Sequence, residues 1–137
     1  MKKKILIVCA SYYKDIAFDL CADSLKILKK NKINSFKVIK VPGVFEIPVF
    51  ISKNIKKFNA FIALGCVIKG ETPHFDFISK ATTNALINLT ITYRKPIGNG
   101  ILTCLNYKQA KLRSDTKGKK RKGAEAANAV ISVLKKL

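Results

Sequence analysis

The stretch richest in chemistry is Cys66-Val67-Ile68-Lys69-Gly70-Glu71-Thr72-Pro73-His74, which holds the only histidine of the chain and one of its three glutamates. An apolar run leads into it and a helical pattern leads out, so Thr72 is expected to cap the helix with Pro73 at its first position. Backbone amides unpaired at such a helix start, aided by the helix dipole, make a site for a phosphate or another anion. His74 would lie in the same first turn, where the positive helix end favours the neutral imidazole, a proton acceptor near neutral pH. A lone histidine is more often structural than functional. Its position where a strand ends shifts the reading toward proton transfer.

Three further loops carry candidates. In Val41-Pro42-Gly43-Val44-Phe45-Glu46-Ile47-Pro48 a Pro-Gly turn precedes a glutamate at a helix start. A turn plus a carboxylate on the helix dipole would explain it. Yet Glu46 and Glu71 both fall in loops of this kind, where they can accept hydrogen bonds from substrate hydroxyls or amines, and the functional reading is the better one. Tyr12 and Tyr13 follow the first apolar run; a ring there can stack on a planar ligand, and exposed loop tyrosines are equally common. Arg113 ends a short helical pattern. A bidentate grip on phosphate and a surface ion pair are comparable readings of it.

These loops need a frame, and hydrophobic periodicity supplies one. Lys4 to Ala10, Phe36 to Val41, Ala60 to Val67 and Ile97 to Thr103 read as strands. Between and after them, Asp15 to Lys30, Glu46 to Lys57, the stretch from Thr72-Pro73 to a stop at Pro96, Tyr107 to Arg113 and Gly123 to Leu137 read as helices, with Pro48 tolerable only in a first turn. The strands are too uniformly apolar for a half-wet antiparallel sheet. The economical fold is α/β, a four-stranded parallel sheet with helices on both faces, and ligands should bind at the strands' carboxyl ends.

Length and composition set bounds. With 137 residues, 48% of them hydrophobic and 26% charged, the chain suits one soluble globular domain, 1–137, without repeat or linker. Its longest apolar stretch, Ala60 to Ile68, is about half a membrane crossing. The net charge of +19 raises nucleic acid, an anionic membrane or phosphorylated ligands as partners. Of the 27 cationic residues, however, only Arg94, Arg113 and Arg121 are arginines, and the lysines lie on nearly every segment rather than in one stripe. The run Lys117-Gly118-Lys119-Lys120-Arg121-Lys122 lacks interleaved aromatics and reads as a solvated, mobile loop. Neither specific nucleic acid nor a membrane is expected as a partner. Cys9, Cys21, Cys66 and Cys104 form no metal-ligand spacing, so no metal is expected, and the thiols are read as reduced in a cytoplasmic protein. The apolar part of the start, Ile5 to Ala10, is too short for a signal core. Walker A, G-x-G-x-x-G and G-x-S-x-G patterns do not occur.

Three segments together, Val41 to Pro48 (VPGVFEIP), Ala63 to Asp76 (ALGCVIKGETPHFD) and Gly98 to Arg113 (GNGILTCLNYKQAKLR), resemble the lumazine synthase family, and the likeness runs from the first strand to the final helix. It implies a flavodoxin-like three-layer subunit and a transferase of riboflavin biosynthesis. The reaction would condense 5-amino-6-(D-ribitylamino)uracil with 3,4-dihydroxy-2-butanone 4-phosphate to 6,7-dimethyl-8-ribityllumazine, releasing phosphate and water without a cofactor. By that resemblance Tyr12 stacks on the pyrimidine, Val44, Phe45 and Glu46 line the ribityl site, and Cys66, Val67 and Ile68 wall the ring pocket. Asn99 lies beside the pyrimidine, where many members carry Phe; Tyr12 stands where Phe or Trp is usual, and Tyr13 where Asn is common. Glu71 and Thr72 match the phosphate loop, and His74 the proton-transfer residue. Arg113 matches a phosphate-binding arginine contributed by a neighbouring subunit, which puts the site at an interface of a homopentamer. Some members build a sixty-subunit shell and associate with riboflavin synthase; this chain starts almost at its first strand, which weighs against the shell more than against the pentamer. Either Arg121 or Lys122 would fill the family's binding-lysine position. The competing reading, an RNA- or anion-binding module, accounts for the charge and leaves Glu46, Glu71 and His74 without a role.

Overall fold

Branched aliphatic residues with no polar alternation make a strand that is stable only when covered on both faces. Ile5–Ala10 (β1) is such a strand, and all six of its residues are buried. In the computed structural model, residues 3–71 and 73–137 are described, so the cap expected at Thr72 falls outside the described residues. After β1 come α1 (Lys14–Lys30), β2 (Phe36–Val41), a 3-10 turn at Val44–Glu46, α2 (Ile47–Lys53), β3 (Ala60–Ile68), α3 (His74–Tyr93), β4 (Ile97–Cys104), α4 (Tyr107–Ser114) and α5 (Lys122–Leu134).

The strands pair in the order β2-β1-β3-β4, all parallel, with Ile5 opposite Phe36 and Ala60, and Ala63 opposite Asn99. Because side chains alternate across a strand, β1 sends Ile5, Ile7 and Cys9 to one face and Leu6, Val8 and Ala10 to the other. The first face packs against Ile16 and Leu20 of α1 and Ala127, Val130 and Ile131 of α5. The second packs against Val44, Ile47 and Ile51, with Leu86 of α3. The expected three-layer α/β architecture is present. In this strand order the crossovers change direction between β1 and β3, which opens a crevice beyond their carboxyl ends.

Three local expectations change. The helix expected over Glu46 to Lys57 is a 3-10 turn followed by a seven-residue α2. It stops at Asn54, whose Nδ2 donates to the Phe50 carbonyl at 2.8 Å and so competes with the helical ladder. Pro73 precedes α3 as its N-cap instead of opening it. Its ψ of 4° keeps it out of the helical basin, while its carbonyl accepts from the amides of Asp76 and Phe77. Lastly, only β1 and β3 are covered almost throughout; β2 and β4 are sheet edges, and β4 alternates between buried and open positions, with Asn99 and Thr103 exposed.

Candidate active site

Two tight packings set the crevice. At Gly65 of β3 a Cβ would stand 2.7 Å from Val44 Cγ1 and 3.0 Å from the Ala10 side chain. Only hydrogen at that position lets the 3-10 turn press onto the sheet, and the turn carries Phe45 and Glu46 to the carboxyl end of β1. The Glu46 carboxylate folds back over Gly43, whose missing side chain leaves it room.

The resulting cavity, about 410 Å³, is lined by Tyr12 and Tyr13 after β1, by Val44, Phe45 and Glu46, by Cys66, Val67 and Ile68 at the end of β3, and by His74 with Phe75 and Ile78 on α3. Nine of the residues singled out in the sequence thus line one cavity. Tyr12 is 75% exposed at the rim, and its ring meets that of Tyr13 edge-on, centroids 4.9 Å apart. An exposed ring beside an apolar floor is a surface on which a planar ligand can stack. Burial pushes the Cys66 thiol up to about 12, with Cys104 beside it adding to the effect. At neutral pH Cys66 is therefore a protonated wall residue and no nucleophile. Burial likewise raises Tyr13 above the ordinary phenol value, with smaller contributions from Cys66 and Tyr12.

Arg113 does not line this cavity. It stands on α4, whose start is capped by the Asn106 side chain accepting from the Gln109 amide, and its Nη1 donates to Gln109 Oε1 at 3.2 Å and lies 3.7 Å from Cys104 Sγ. It opens onto a second, larger cavity of about 670 Å³, walled by Ile101, Leu102 and Thr103 of β4 together with Lys119, Lys120, Arg121 and Lys122. The lysine run is the exposed loop expected of it, with Lys117, Lys119 and Lys120 open to solvent, and its Lys119 to Lys122 also wall a strongly basic hollow. Such a hollow favours a multiply charged anion, with Arg113 able to present a two-pronged donor. Glu71 lines neither cavity, and Asn99 sits mid-strand on the open side of β4, its Oδ1 accepting from the Ile101 amide.

Sequence reasoning missed Phe75 and Ile78. The spacing from His74 carried the signal for Ile78, since a residue four positions on repeats the same helical face. It also missed Asn128 and Glu125, which join the basic hollow from α5. Among the described residues no cluster of three or more His, Cys, Asp or Glu could hold a metal, and no helix is long and apolar enough to cross a membrane.

A family model described as 6,7-dimethyl-8-ribityllumazine synthase matches residues 2–137. A protein of that name from Bartonella bacilliformis is 41% identical over 134 residues, spanning 95% of this chain and 87% of the relative. One from Cutibacterium acnes is 37% identical over 132 residues, 96% of this chain and 80% of the relative. One from Agrobacterium fabrum is 39% identical over 145 aligned positions, 99% and 97% of the two chains.

Proposed function

Since the chain belongs to the 6,7-dimethyl-8-ribityllumazine synthase family, we propose that it works as a single cytoplasmic domain. There it condenses 5-amino-6-(D-ribitylamino)uracil with 3,4-dihydroxy-2-butanone 4-phosphate, releasing phosphate and water. The observation that carries this reading is the convergence of Tyr12, Glu46, Cys66 to Ile68 and His74 on one cavity at the β1/β3 crevice.

The reaction forms an imine from an amine and a ketone, expels phosphate and closes a ring. Each step moves protons, and the sum needs two substrates held face to face and an anchor for the leaving anion. Tyr12 stacks on the pyrimidine, with the Cys66-Val67-Ile68 wall as the floor. Glu46, Val44 and Phe45 receive the ribityl chain, the carboxylate accepting from its hydroxyls. His74 carries protons between amine, carbonyl and leaving groups. Glu71 and Thr72 are assigned to phosphate binding, with the start of α3 at His74 adding the favourable end of its dipole. Holding both reactants in one orientation supplies much of the rate.

Arg113 enters this scheme from a second copy. Within one chain it opens on the basic hollow and not on the stacking cavity, and β4 between the two is a half-open edge. Large apolar side chains stand exposed on α3, Phe77 at 69% and Ile91 at 70%. Unburied surface of this kind on a folded chain favours association. The proposed assembly is a homopentamer in which the hollow of one subunit faces the stacking cavity of the next, with Asn99 at the seam. Arg121 is committed to the buried Asp23, whereas Lys122 is held only by the exposed Glu125, which favours Lys122 as the family's binding lysine.

The test is to mix purified protein with both substrates and follow the lumazine by absorbance and fluorescence against an enzyme-free control. A rate well above that control supports the proposal; a rate equal to it, from folded protein, overturns it. Light scattering during gel filtration tests the assembly separately.

A further inference from the structure

Two thiols meet where β1 passes under α1, outside the cavity. Cys9 is 3% exposed, and its Sγ lies 3.5 Å from the Ala17 carbonyl oxygen. Ala17 is one helical turn before Cys21, so the Cys9 and Cys21 thiols lie beside each other. Cys21 is only half-buried whereas Cys9 is buried, so Cys21 is the outer residue of the pair. Lys40, directly opposite Cys9 on β2, adds a cation to the pair. Neither thiol has a part in the chemistry at the cavity.

We propose that Cys9 and Cys21 form an oxidation site at which a hydroperoxide attacks the outer sulfur and the inner sulfur closes a reversible disulfide. Cys21 has the environment of the attacking group. The neighbouring Cys9 thiol draws the Cys21 thiol down to about 7, against the effect of burial and with help from Lys40. Cys9 keeps its proton, donating toward the Ala17 carbonyl, and its thiol is raised by the neighbouring Cys21 and by burial. Low thiolate cost, partial exposure and an adjacent resolving thiol are the features of redox-responsive cysteines.

The step balances as follows. Cys21 thiolate attacks one oxygen of the peroxide; an S–O bond forms, the O–O bond breaks, and the departing oxygen leaves as alcohol or water after taking a proton. Cys9 then gives up its proton, its sulfur attacks the Cys21 sulfenic sulfur, the S–O bond breaks and water leaves. Two thiols lose two electrons in all, and the hydroperoxide accepts them. The closed ring contains Tyr12 and Tyr13, so the modification falls within the segment that walls the cavity.

Cys66 and Cys104 provide an internal comparison. They also lie side by side, but both are buried and Cys66 is pushed up to about 12, so this pair should stay reduced. The experiment treats the reduced, intact protein with a small molar excess of hydrogen peroxide, blocks remaining thiols by alkylation, and maps tryptic peptides without reductant. Trypsin places Cys9 in Ile5–Lys14 and Cys21 in Asp15–Lys26. The expected result is a single cross-link between these two peptides, lost on addition of dithiothreitol. In Cys9→Ala the expected product is a Cys21 sulfenic acid that dimedone traps. Four unmodified thiols, a cross-link at Cys66 or Cys104, or irreversible sulfinic acid at Cys21 in the native chain would each overturn the proposal. The native-chain map decides even where a variant fails to fold.

Discussion

Arg121 lays its guanidinium across the buried carboxylate of Asp23, with Nη2 2.5 Å from Oδ1 and Nε 3.1 Å from Oδ2. The Asp23 side chain is wholly inaccessible, whereas that of Arg121 is 32% exposed. The pair ties the middle of α1 to the residue before α5, and Ser24 strengthens the same seam by donating to the Gly123 carbonyl at 2.7 Å. Among the basic residues of the run, Arg121 is thus the one that holds the hollow in shape. Removing it strands a carboxylate out of water. Arg121→Ala should therefore cost about 3 kcal/mol of stability, the low end for breaking a buried pair because the guanidinium is partly wet. Urea unfolding measures this directly. A loss of only a few tenths of a kcal/mol would mean that the pair behaves like a surface ion pair.

Gly65→Ala tests the packing that seats the second loop. The new methyl group would meet Val44 Cγ1 at 2.7 Å and the Ala10 side chain at 3.0 Å, and neither neighbour is the loose end of a long side chain. Overpacking of this kind costs about 1–3 kcal/mol. Because the displaced turn carries Phe45 and Glu46, turnover should fall by more than the loss of folded protein explains. Unchanged turnover in the folded fraction would uncouple the turn from the site.

The strand ends were legible in the sequence because buried parallel strands leave an unmistakable apolar signature, as at Ile5 to Ala10 and Ala60 to Ile68. The loops between them then have to lie on one sheet edge, which is why Tyr12, Glu46 and His74 group together from the sequence alone. Arg113 could not be grouped that way from periodicity. It stands on an amphipathically weak eight-residue helix whose direction is set by tertiary contacts, and the residues beside it, Lys119 to Lys122, lack any periodic pattern. Likewise Asn54 ends α2 through a side-chain hydrogen bond that competes with the helix, which a hydrophobic pattern does not register. Asn99 could be assigned to β4 but not to a face that lies open, since the sequence does not say which strand is the sheet edge.

Asp15 tests how α4, and with it Arg113, is held. Its carboxylate accepts from the Tyr107 hydroxyl and lies 3.4 Å from Lys111 Nζ, both residues of α4. The Tyr107 hydrogen bond, with lesser help from the Ile16 amide and Lys111, holds the Asp15 carboxyl below its ordinary value of 3.8 against a small burial effect. With the folded-state value depressed, the unfolded chain takes up the proton first as pH falls. The stabilisation is present above pH 4 and is lost as pH falls through the folded-state value. Asp15→Asn should lower the urea midpoint slightly at pH 7, and the gap to the native chain should narrow by pH 3. A gap of the same size at both pH values would show that the contact acts through shape rather than charge.

The Cys21 thiol gives a second pH-dependent readout, independent of folding. With its value drawn down to about 7, alkylation by iodoacetamide should rise to half its maximum near pH 7 and level off above about pH 8. The gain at pH 7 over an ordinary thiol should be only about threefold, because the larger thiolate fraction is partly offset by its weaker nucleophilicity. Peptide-resolved mass spectrometry separates Cys21 from Cys66, whose labelling should still be climbing at pH 9. A Cys21 midpoint near 8.5 would remove the electrostatic part of the argument for it as the attacking sulfur.

His74 and Arg113 divide the proposed reaction between proton transfer and anchoring, and kinetics can separate the two. His74→Ala should slow turnover, by about a hundredfold at most, near the lower bound for general acid–base catalysis because orientation of the bound pair survives. Its effect on KM for either substrate should be small. Arg113→Ala should instead raise KM for the phosphorylated butanone by about tenfold or more, the loss expected for a charge-assisted hydrogen bond, and leave KM for the pyrimidine almost unchanged. Steady-state kinetics with each substrate varied in turn supplies all of these values. If both variants weakened both substrates equally, His74 and Arg113 would be supporting the shape of the site rather than acting on separate parts of the reaction.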